Sequence, residues 1–494
     1  MKLSDESGLL LPPVWIIGFT GHRHLQNPDK VGGLLRKLID SLRAEIPGQL
    51  MGYSSLAIGA DTLFAEACVS SGIPWTALLP RPEADFRSDF DKADWERTST
   101  LLQQASRVES LPAARDHDLA YLECGLSTVE ESDVMIAVWD GKSSRGTGGT
   151  AEVVAHARSL TKPLILIHPD RLDAERERFS LELFSDKEMT YLNHVSGRHR
   201  VSDASSAEPE ERVREFFQKV DAQAARIAPR FRRWVGASVI MNALAAILVA
   251  ASIVFDIHSV IFDAITFVLV AAATVSIALI KRKGAHRKWI RCRAAAEICR
   301  SALATWNLDD VAAPVWFNQL EGFTRLAKSI RLLHLSDKRK RTINFADWRQ
   351  DYLRVRVDEQ LNYFRRRRRR LATALAILTC GFWTFSALGI GRTIFTALIS
   401  TPPSGPLIRQ TLHSFLPIAL PLAAGCALSL ISIFDLNRQL ARAKAMEALL
   451  KTVRNQVEKC ENLSSLRRAV GHAENAFSAE VFEWFTLFKY PRFN

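Results

Sequence analysis

Two segments of the chain carry the glycine, hydroxyl and arginine residues that bind phosphate groups in proteins. Residues 18–24, Gly-Phe-Thr-Gly-His-Arg-His, come at the end of a short apolar run of β type. The glycines let the backbone approach a phosphate closely, and the guanidinium of Arg23 can bind one through two parallel hydrogen bonds. A tight turn with exposed basic residues explains this segment equally well, so it does not establish a site by itself.

Residues 143–152, Ser-Ser-Arg-Gly-Thr-Gly-Gly-Thr-Ala-Glu, are the stronger indication of a phosphate site. They lead directly into a predicted helix, so the backbone N–H groups of Gly148, Gly149 and Thr150 can converge on an anion. Glu152, in the first turn, either bonds a ribose hydroxyl or complements the helix dipole. The segment predicts nucleotide binding, with a plain loop as the alternative.

Strand-like and helix-like segments alternate between residues 14 and 168. This order predicts a mostly parallel sheet with helices on both faces, whose ligand crevice lies beyond the carboxyl ends of the strands. Residues 55–58 are predicted as one strand, and Asp61 as the N-cap of the helix that follows. The predicted binding residues come from the loops at these strand ends and from the helix start after the last loop: Gly18, Thr20, Gly21, Arg23, Gly59, Asp61, Asp140, Gly148, Gly149, Thr150 and Glu152.

Other chemistry has little support in the sequence. His22 and His24 are possible metal ligands, and His117-Asp118 resembles a metal-phosphohydrolase dipeptide, but neither has a second ligand cluster at the required spacing. GxSxG, a Walker lysine and a Cys/His dyad are all missing from the sequence. The seven cysteines are scattered and contain no CxxC pair, which favours reduced thiols over a disulfide framework or a zinc site. We therefore predict neither a metal nor a cofactor.

The second half of the chain contains four uncharged apolar runs in two pairs. They span residues 235–255, 264–280, 371–391 and 414–434. Each is about as long as a helix must be to cross a bilayer. The middle of each run lacks Asp, Glu, Lys and Arg, which argues against a proton- or ion-coupled transporter. We predict four membrane spans arranged as two hairpins.

Much of the net charge of +12 lies at the ends of these apolar runs. Six consecutive arginines, 365–370, precede the third run, whereas the loop 256–263 has no Lys or Arg and the loop 392–413 has two arginines. Short loops rich in Lys and Arg stay in the cytoplasm. Both termini and the central segment are therefore predicted inside, with the hairpin tips outside. Residues 1–13 lack the pattern of a signal peptide.

Five short motifs in the first half match a known superfamily. They are Gly-Phe-Thr-Gly-His-Arg (18–23), Ala-Ile-Gly-Ala-Asp (57–61), Ala-Tyr (120–121), Ser-Asp-Val-Met-Ile-Ala-Val-Trp-Asp-Gly (132–141) and Gly-Gly-Thr-Ala-Glu (148–152). Together they resemble the SLOG superfamily of Rossmann-like domains, which is related to the Smf/DprA DNA-processing proteins and the LOG phosphoribohydrolases. The resemblance covers residues 12–170. It implies a pocket for a nucleotide or a nucleotide-derived signal, lined by the glycine-bearing loops.

The sequence departs from the LOG enzymes at one position that matters. Those enzymes carry Gly-Gly-x-Gly-Thr-x-x-Glu, and the last glutamate takes part in cleaving the glycosidic bond. Alignment on Gly149 and Thr150 places Val153 there, with Glu152 one residue earlier. One residue along a helix rotates a side chain by about 100°, so the resemblance favours ligand sensing over hydrolysis. No catalytic residue is predicted; Glu152 is the candidate if the protein is an enzyme.

Motifs in the second half match a second family. The residues are Trp289, Arg293, Glu297, Tyr352, Arg356, Gln360, Tyr363, Glu480, Glu483 and Trp484. Their pattern is similar to SLATT domains, two-span effector modules with an adjoining cytosolic helix. SLATT domains occur joined or adjacent to SLOG domains in bacterial conflict systems and are proposed to form pores. The resemblance covers about residues 210–494, with two hairpins in tandem where the simplest form has one.

The expected fold class is α/β plus membrane α. The expected domains are a Rossmann-like domain (12–170), a linker (171–210), a first hairpin with cytosolic helices (211–370, spans 235–255 and 259–280), and a second hairpin with C-terminal cytosolic helices (371–494, spans 371–391 and 414–434).

We expect a nucleotide-signal sensor coupled to a membrane-disrupting or pore-forming effector in bacterial antiviral defence. The ligand would be a nucleotide, cyclic or derived from NAD, and a neighbouring synthase would supply it. The protein would be a multi-pass homo-oligomer of the bacterial inner membrane. A membrane-anchored phosphoribohydrolase of the LOG kind is the alternative. Binding of nucleic acid is a third and weaker hypothesis, suggested by the Smf kinship and the basic charge.

Overall fold

The computed structural model describes residues 9–112, 116–143, 148–197, 208–283, 285–308, 322–337, 344–398 and 405–489. The chain divides into two compact units. The sheet unit comprises Met1–Phe217 and Val315–Lys340, and the helical unit comprises Gln218–Pro314 and Arg341–Asn494.

The sheet unit contains a seven-stranded sheet in the order β4-β3-β2-β1-β5-β6-β7. The strands are β1 Val14–Gly21, β2 Gln49–Ser54, β3 Trp75–Leu79, β4 Arg107–Ser110, β5 Val134–Val138, β6 Leu164–Ile167 and β7 Ala174–Glu177. Neighbouring strands are parallel, except that β6 and β7 are antiparallel. The strand order reverses between β1 and β5. In sheets of this kind, ligands bind at such a switch point, beyond the carboxyl ends of the strands.

Helices cover both faces of this sheet. They are α1 Pro28–Glu45, α2 Ala60–Ser70, α3 Glu83–Phe86, α4 Lys92–Gln104, α5 His117–Glu131, α6 Thr150–Ser159 and α7 Lys187–Ser196. Phe19 of β1 belongs to the core shared with α1 and α2, where its ring stacks on Phe64 at 4.6 Å. Met135 of β5 belongs to a second core, shared with α5 and α6. Burial on both faces explains why the inner strands are almost entirely apolar. The predicted α/β sheet of the first half is confirmed.

Strand β2 differs from the prediction. The sequence suggested a strand at 55–58, but the strand covers Gln49–Ser54, because its pairing with β1 begins at Gln49 and its pairing with β3 ends at Ser54. Leu56 has a φ of 54°, which is incompatible with an extended strand. Its side chain is fully buried, so the apolar run marks a loop packed into the core.

One helix of the sheet unit comes from far along the chain. Helix α11, Thr324–Ser336, follows the first two apolar runs in sequence yet packs at the amino ends of β1 and β5. Asp133, just before β5, accepts from Arg325 at 2.7 Å and from Lys328 at 3.1 Å. The guanidinium of Arg325 also lies 3.6 Å from the ring centre of Trp15. Ser329 donates to the carbonyl of Pro12 at 2.7 Å.

This carboxylate is ionised in the folded protein. Burial alone would raise the pKa of Asp133, but the charges of Lys328 and Arg325 outweigh burial and lower it. A buried charge that is paired and hydrogen-bonded in this way becomes costly when one partner is removed. The sheet unit therefore depends on α11 for the neutralisation of Asp133.

The helical unit contains the apolar runs. Its elements, with α8 beginning in the sheet unit, are α8 Pro209–Val254, α9 Val260–Lys283, α10 Ala285–Thr305, α12 Phe345–Asp351, a π-helical segment Tyr352–Asp358, α13 Glu359–Leu398, α14 Pro406–Gln410, a second π-helical segment Thr411–Phe415, α15 Leu416–Ile433, α16 Leu436–Glu458 and α17 Leu463–Lys489.

Four of these helical stretches are long and apolar enough to cross a membrane. They are Arg233–Val254, Val260–Leu279, and parts of Phe345–Leu398 and Pro406–Glu458. Large apolar side chains remain exposed on them, including Val260 at 85% and Phe267 at 73%. Exposed apolar surface of this extent marks a membrane or protein contact. Four membrane-length helices are confirmed; their layout as two hairpins stays a prediction.

A buried network of charges joins three helical elements outside the apolar stretches. Arg356, in the π-helical segment, donates to Glu474 of α17 at 2.7 Å and to Glu297 of α10 at 3.0 Å. Tyr352 donates to Glu474 as well, at 2.9 Å. Burial opposes ionisation of Glu297, but the guanidinium groups of Arg300 and Arg356 lower its pKa to about 2. Because the network is closed and charged, it fixes the relative positions of the three elements.

The Asp133 contact predicts the behaviour of α11. Asp133→Asn leaves two buried cations without a carboxylate, at a cost of about 3–5 kcal/mol. We expect the amides of α11 to exchange with solvent about 100-fold faster or more, measured by hydrogen exchange on the full chain in detergent. Asp173→Asn, which removes an exposed partner of Arg171, is the matched control and should change nothing in α11. If the amides of α11 were equally protected from exchange in both variants, stabilisation of α11 by Asp133 would be contradicted.

The buried network predicts a difference between two nearby arginines. Arg356→Gln leaves the buried carboxylate of Glu474 without its guanidinium partner, so the helical unit should lose about 3–5 kcal/mol and unfold roughly 10 °C lower. Arg354→Gln breaks only an exposed pair with Asp351 and should shift unfolding by no more than a degree or two. Thermal unfolding of the full chain in detergent, followed by circular dichroism, measures both. Equal shifts would show that Arg356 is not a structural centre.

Candidate functional site

The candidate site lies at the carboxyl edge of the sheet, around the switch point between β1 and β5. The segment after β1 contacts the loops of both neighbouring strands. On one side, Ala60 donates its backbone N–H to the carbonyl of His22 at 3.0 Å. On the other, the ring of His22 lies 3.2 Å from the carboxylate of Asp140. The predicted loops therefore meet in one place.

Two glycines permit this close approach on the β1–β2 side. Gly59 has a φ of 97°, and a Cβ there would lie 2.2 Å from the carbonyl oxygen of Arg23. A Cβ on Gly21 would lie 2.5 Å from that of Ala60. Only glycine fits either position. By contrast Gly18 lies inside β1, where a Cβ would collide with Met135, so its place in the fold is strand packing.

Asp61 is buried in the floor of the site. The prediction that it caps α2 is wrong: the helix begins at Ala60 with Gly59 as N-cap and has no side-chain cap. Asp61 instead accepts from the hydroxyls of Ser55 at 2.7 Å and Ser54 at 3.1 Å. Burial raises its pKa to about 6, although these hydrogen bonds and the charge of Arg23 oppose the rise.

A second cluster of polar side chains lies between the end of β3 and the start of α5, and no sequence pattern predicted that its members meet. Asp89 accepts from Arg81 at 2.5 Å, from Tyr121 at 2.7 Å and from His117 at 3.0 Å. Burial opposes ionisation of Asp89, but the hydrogen bonds from Arg81, Tyr121 and His117 lower its pKa. His117, considered a metal ligand from sequence, thus pairs with a carboxylate. Tyr121 belongs to a recognised motif, but nothing in sequence links it to Asp89.

Tyr121 connects this cluster to the β1 segment. The guanidinium of Arg23 lies 4.6 Å from the centre of the Tyr121 ring, a cation–π distance. Arg23 itself is exposed, and within the described residues its N–H groups have no hydrogen-bond acceptor. An oriented, exposed guanidinium with free donors is suited to a phosphate.

The start of α6 completes the edge. Gly148 has a φ of 86°, and a Cβ there would lie 2.7 Å from the carbonyl of Asp118. Its N–H donates to the carboxylate of Glu152 at 2.5 Å, much as in a capping box. Glu152 therefore occupies an amide that was predicted to bind an anion. Gly149 is the N-cap, and Thr150 begins the helix and is nearly buried. Residues 144–147 of this loop lie outside the described residues.

Three further residues at this edge have clear places. Thr20 is paired opposite Ala137 near the end of β1. Burial opposes ionisation of Asp140, but the backbone N–H of Lys142 and the ring of His22 lower its pKa. Val153 is buried in the core shared with α5. Among the described residues, no group of three or more His, Cys, Asp or Glu side chains is placed to hold a metal.

Several of the helical residues singled out in sequence are brought together. Glu297, Tyr352 and Arg356 belong to the buried network, and Arg293 lies 3.6 Å from Glu297. The side chains of Glu480, Glu483 and Trp484 lie outside the described part of the chain.

One family matches part of this chain. Residues 215–321 match the family described as SMODS and SLOG-associating 2TM effector domain 3. The match begins in α8 and includes the first two apolar stretches and α10. No curated protein matches the chain. The SLATT-type module of the second half is thus supported, while the SLOG resemblance of the first half stays a prediction.

The raised pKa of Asp61 predicts a pH dependence of stability. With a pKa of about 6 against an ordinary 3.8, the folded state holds an extra proton between these values. The free energy of unfolding therefore falls as the pH rises from about 4 to 6, and then levels off. The side chain of Asp61→Asn is neutral at every pH, so this variant should lack the pH dependence that Asp61 contributes. Relative to the wild type, its unfolding temperature should therefore rise as the pH increases from about 4 to 6. Asp173→Asn is the control for an exposed carboxylate. If the unfolding temperatures of Asp61→Asn and the wild type changed in parallel with pH, the raised pKa of Asp61 would be contradicted.

Proposed function

We propose that this protein binds a nucleotide-derived signal at the carboxyl edge of its sheet and responds by disrupting a membrane. One observation carries the proposal. A chain with a matched two-span effector module also contains a parallel sheet whose switch point presents the exposed Arg23 beside Tyr121. An effector must be activated by a signal, and the exposed guanidinium of Arg23 at this edge can bind the phosphate of a signal molecule.

The proposed ligand contacts follow from the chemistry of the edge. A ligand phosphate would bind Arg23 and the amides at the start of α6, where the helix dipole favours an anion. Asp61 and Asp140 offer acceptors for ribose or base donors, and the Tyr121 ring orients the guanidinium of Arg23. Thr20, Gly21 and Gly59 shape the backbone around them, whereas Gly18 packs inside β1.

Glu152 supplies a reason for two states. Its carboxylate holds the N–H of Gly148, so a phosphate at that amide must displace it. A ligand switches a protein only when it binds one state more tightly than the other. Displacement of Glu152 makes the liganded and free loops different structures, which meets this condition.

The helical unit would be the effector. We infer two hairpins in a bacterial inner membrane, with both termini in the cytoplasm, because Lys and Arg flank the cytoplasmic ends of the apolar runs. Homo-oligomers activated by a signal from a neighbouring synthase would act in antiviral defence. The matched family is described as a SLOG-associating effector domain, which supports this role.

The competing activity, hydrolysis of a nucleotide, has less support from the geometry. Val153, aligned with the catalytic glutamate of LOG enzymes, is 2% exposed and lies against Gly125. Glu152 is engaged by Gly148. Incubation with nucleoside monophosphates, followed by chromatography, should release no free base. Release of base that is lost in Glu152→Gln would establish the hydrolase instead.

Liposome leakage tests the proposed function. The full chain in dye-loaded liposomes should release dye on addition of one member of a panel of cyclic oligonucleotides and ADP-ribose derivatives. Arg23→Ala removes the phosphate contact and should weaken the response at least tenfold, since charge-assisted hydrogen bonds contribute about 1.5–3 kcal/mol. Gly149→Trp should abolish it by filling the loop.

Matched controls separate the pocket from general damage. Arg36→Ala removes an exposed arginine from α1, and Gly33→Trp adds the same bulk where a Cβ has open space. Both should leak like the wild type. Leakage unaffected by Arg23→Ala and Gly149→Trp would refute the assigned pocket.

A further inference from the structure

The six arginines at residues 365–370 have two different surroundings. They lie in the continuous helix α13, directly before the apolar run that begins at Leu371. On a helix, residues three or four apart share a face. Six consecutive residues therefore point in all directions, and the neighbours decide what each arginine does.

One face of this segment is occupied by a carboxylate. The carboxylate of Glu447 in α16 forms ion pairs with Arg368 at 3.0 Å and with Arg365 at 3.7 Å. Lys451, one turn along α16, lies 3.0 Å from the same carboxylate. The pairs of Arg365 and Arg368 with Glu447 join α13 to α16, whereas the pair of Lys451 with Glu447 lies within α16. They serve packing.

The opposite face is an open cleft of about 580 Å³. It is lined by Glu359, Asn362, Tyr363, Arg366, Arg367, Arg370 and Leu371. Arg367 donates to Gln439 at 3.2 Å, whereas Arg366 and Arg370 are exposed and, in the part of the chain described, have no carboxylate partner. The single carboxylate, Glu359, lies seven residues before Arg366, about 10 Å along the helix axis. The positive end of the cleft therefore adjoins Leu371.

We propose that this cleft binds the phosphate headgroup of an anionic phospholipid. Guanidinium groups bind phosphate through paired hydrogen bonds. Tyr363 and Asn362 add neutral donors, and tyrosine is favoured at the membrane–water interface. Leu371 and the exposed apolar side chains that follow it, such as Ile377 at 65% and Trp383 at 65%, provide a surface along which acyl chains can lie. The net positive charge disfavours a headgroup that carries its own cation.

The inference rests on the membrane placement in the proposed function, but not on the nucleotide pocket. A free phosphate ion shares the headgroup chemistry and lacks the acyl chains. The source is therefore decided by comparing a lipid with inorganic phosphate.

Lipid binding to the detergent-solubilised full chain, measured by native mass spectrometry, tests the proposal. The wild type should bind phosphatidylglycerol in preference to phosphatidylcholine. The double variant Arg366→Gln/Arg370→Gln should bind phosphatidylglycerol at least tenfold more weakly, as expected for the loss of two cations at a membrane surface. Inorganic phosphate at millimolar concentration should not displace the lipid.

The matched control is Arg369→Gln/Arg438→Gln, which removes the same charge from two exposed positions outside the cleft. It should keep phosphatidylglycerol binding within about twofold of the wild type. Arg366→Lys/Arg370→Lys keeps the charge but loses the paired hydrogen bonds, and should bind with intermediate affinity. The pairs of Arg365 and Arg368 with Glu447 are intact in all these variants.

Three results would overturn the proposal. The first is unchanged lipid selectivity in Arg366→Gln/Arg370→Gln. The second is an equal loss of phosphatidylglycerol binding in the control variant, which would indicate diffuse electrostatic attraction. The third is displacement of the lipid by inorganic phosphate, which would indicate a site for free anions. Extraction of membranes with alkaline carbonate distinguishes a failure of the proposed function: a protein released from membranes contradicts membrane placement itself. A protein that is retained but unselective contradicts only the lipid site.

Discussion

The organisation of the sheet unit depends on the contact between Asp133 and the two cations of α11. A carboxylate at the head of a central strand, with 16% of its side chain exposed, needs a counter-charge, and the chain supplies it 192 residues later. The sheet unit is therefore not contiguous in sequence. The segment that completes it is reached in sequence only after the first two apolar stretches.

This arrangement places the contact with α11 and the candidate pocket at opposite ends of the same strands. Helix α11 packs at the amino ends of β1 and β5, while the candidate pocket lies beyond their carboxyl ends. Strand β1 has eight residues, about 25 Å in length, and its first six are buried. A packed strand of this kind does not bend gradually. In the proposed function, the Glu152–Gly148 contact is the one that a ligand phosphate would replace.

The helical unit separates its charges by surroundings. Arg356, Glu297 and Glu474 are buried and mutually neutralised, whereas the arginines at 366 and 370 remain exposed beside apolar surface. The same residue type thus serves cohesion in one place and attraction of anions in another. The difference is set by what neighbouring helices bring: α10 and α17 bring carboxylates to Arg356, and α16 brings one carboxylate to one face of α13.

The sequence by itself determined the features that depend on local pattern. Alternating apolar segments, four apolar runs and glycine-bearing loops at strand ends follow from hydrophobicity and from backbone preferences within a few residues. The four long helices appear where these patterns predict them, whereas β2 lies at Gln49–Ser54 instead of residues 55–58. The eleven predicted pocket residues were chosen in the same way, and all but Gly18 lie around one edge because parallel strands end there together. Only the tertiary structure decided which side chains meet. The role of Asp61, the Asp89 cluster with Arg81, His117 and Tyr121, and the partners of Asp133 and Arg356 all join residues distant in sequence. Their pairing reflects the energy of burying charge, which no local pattern records.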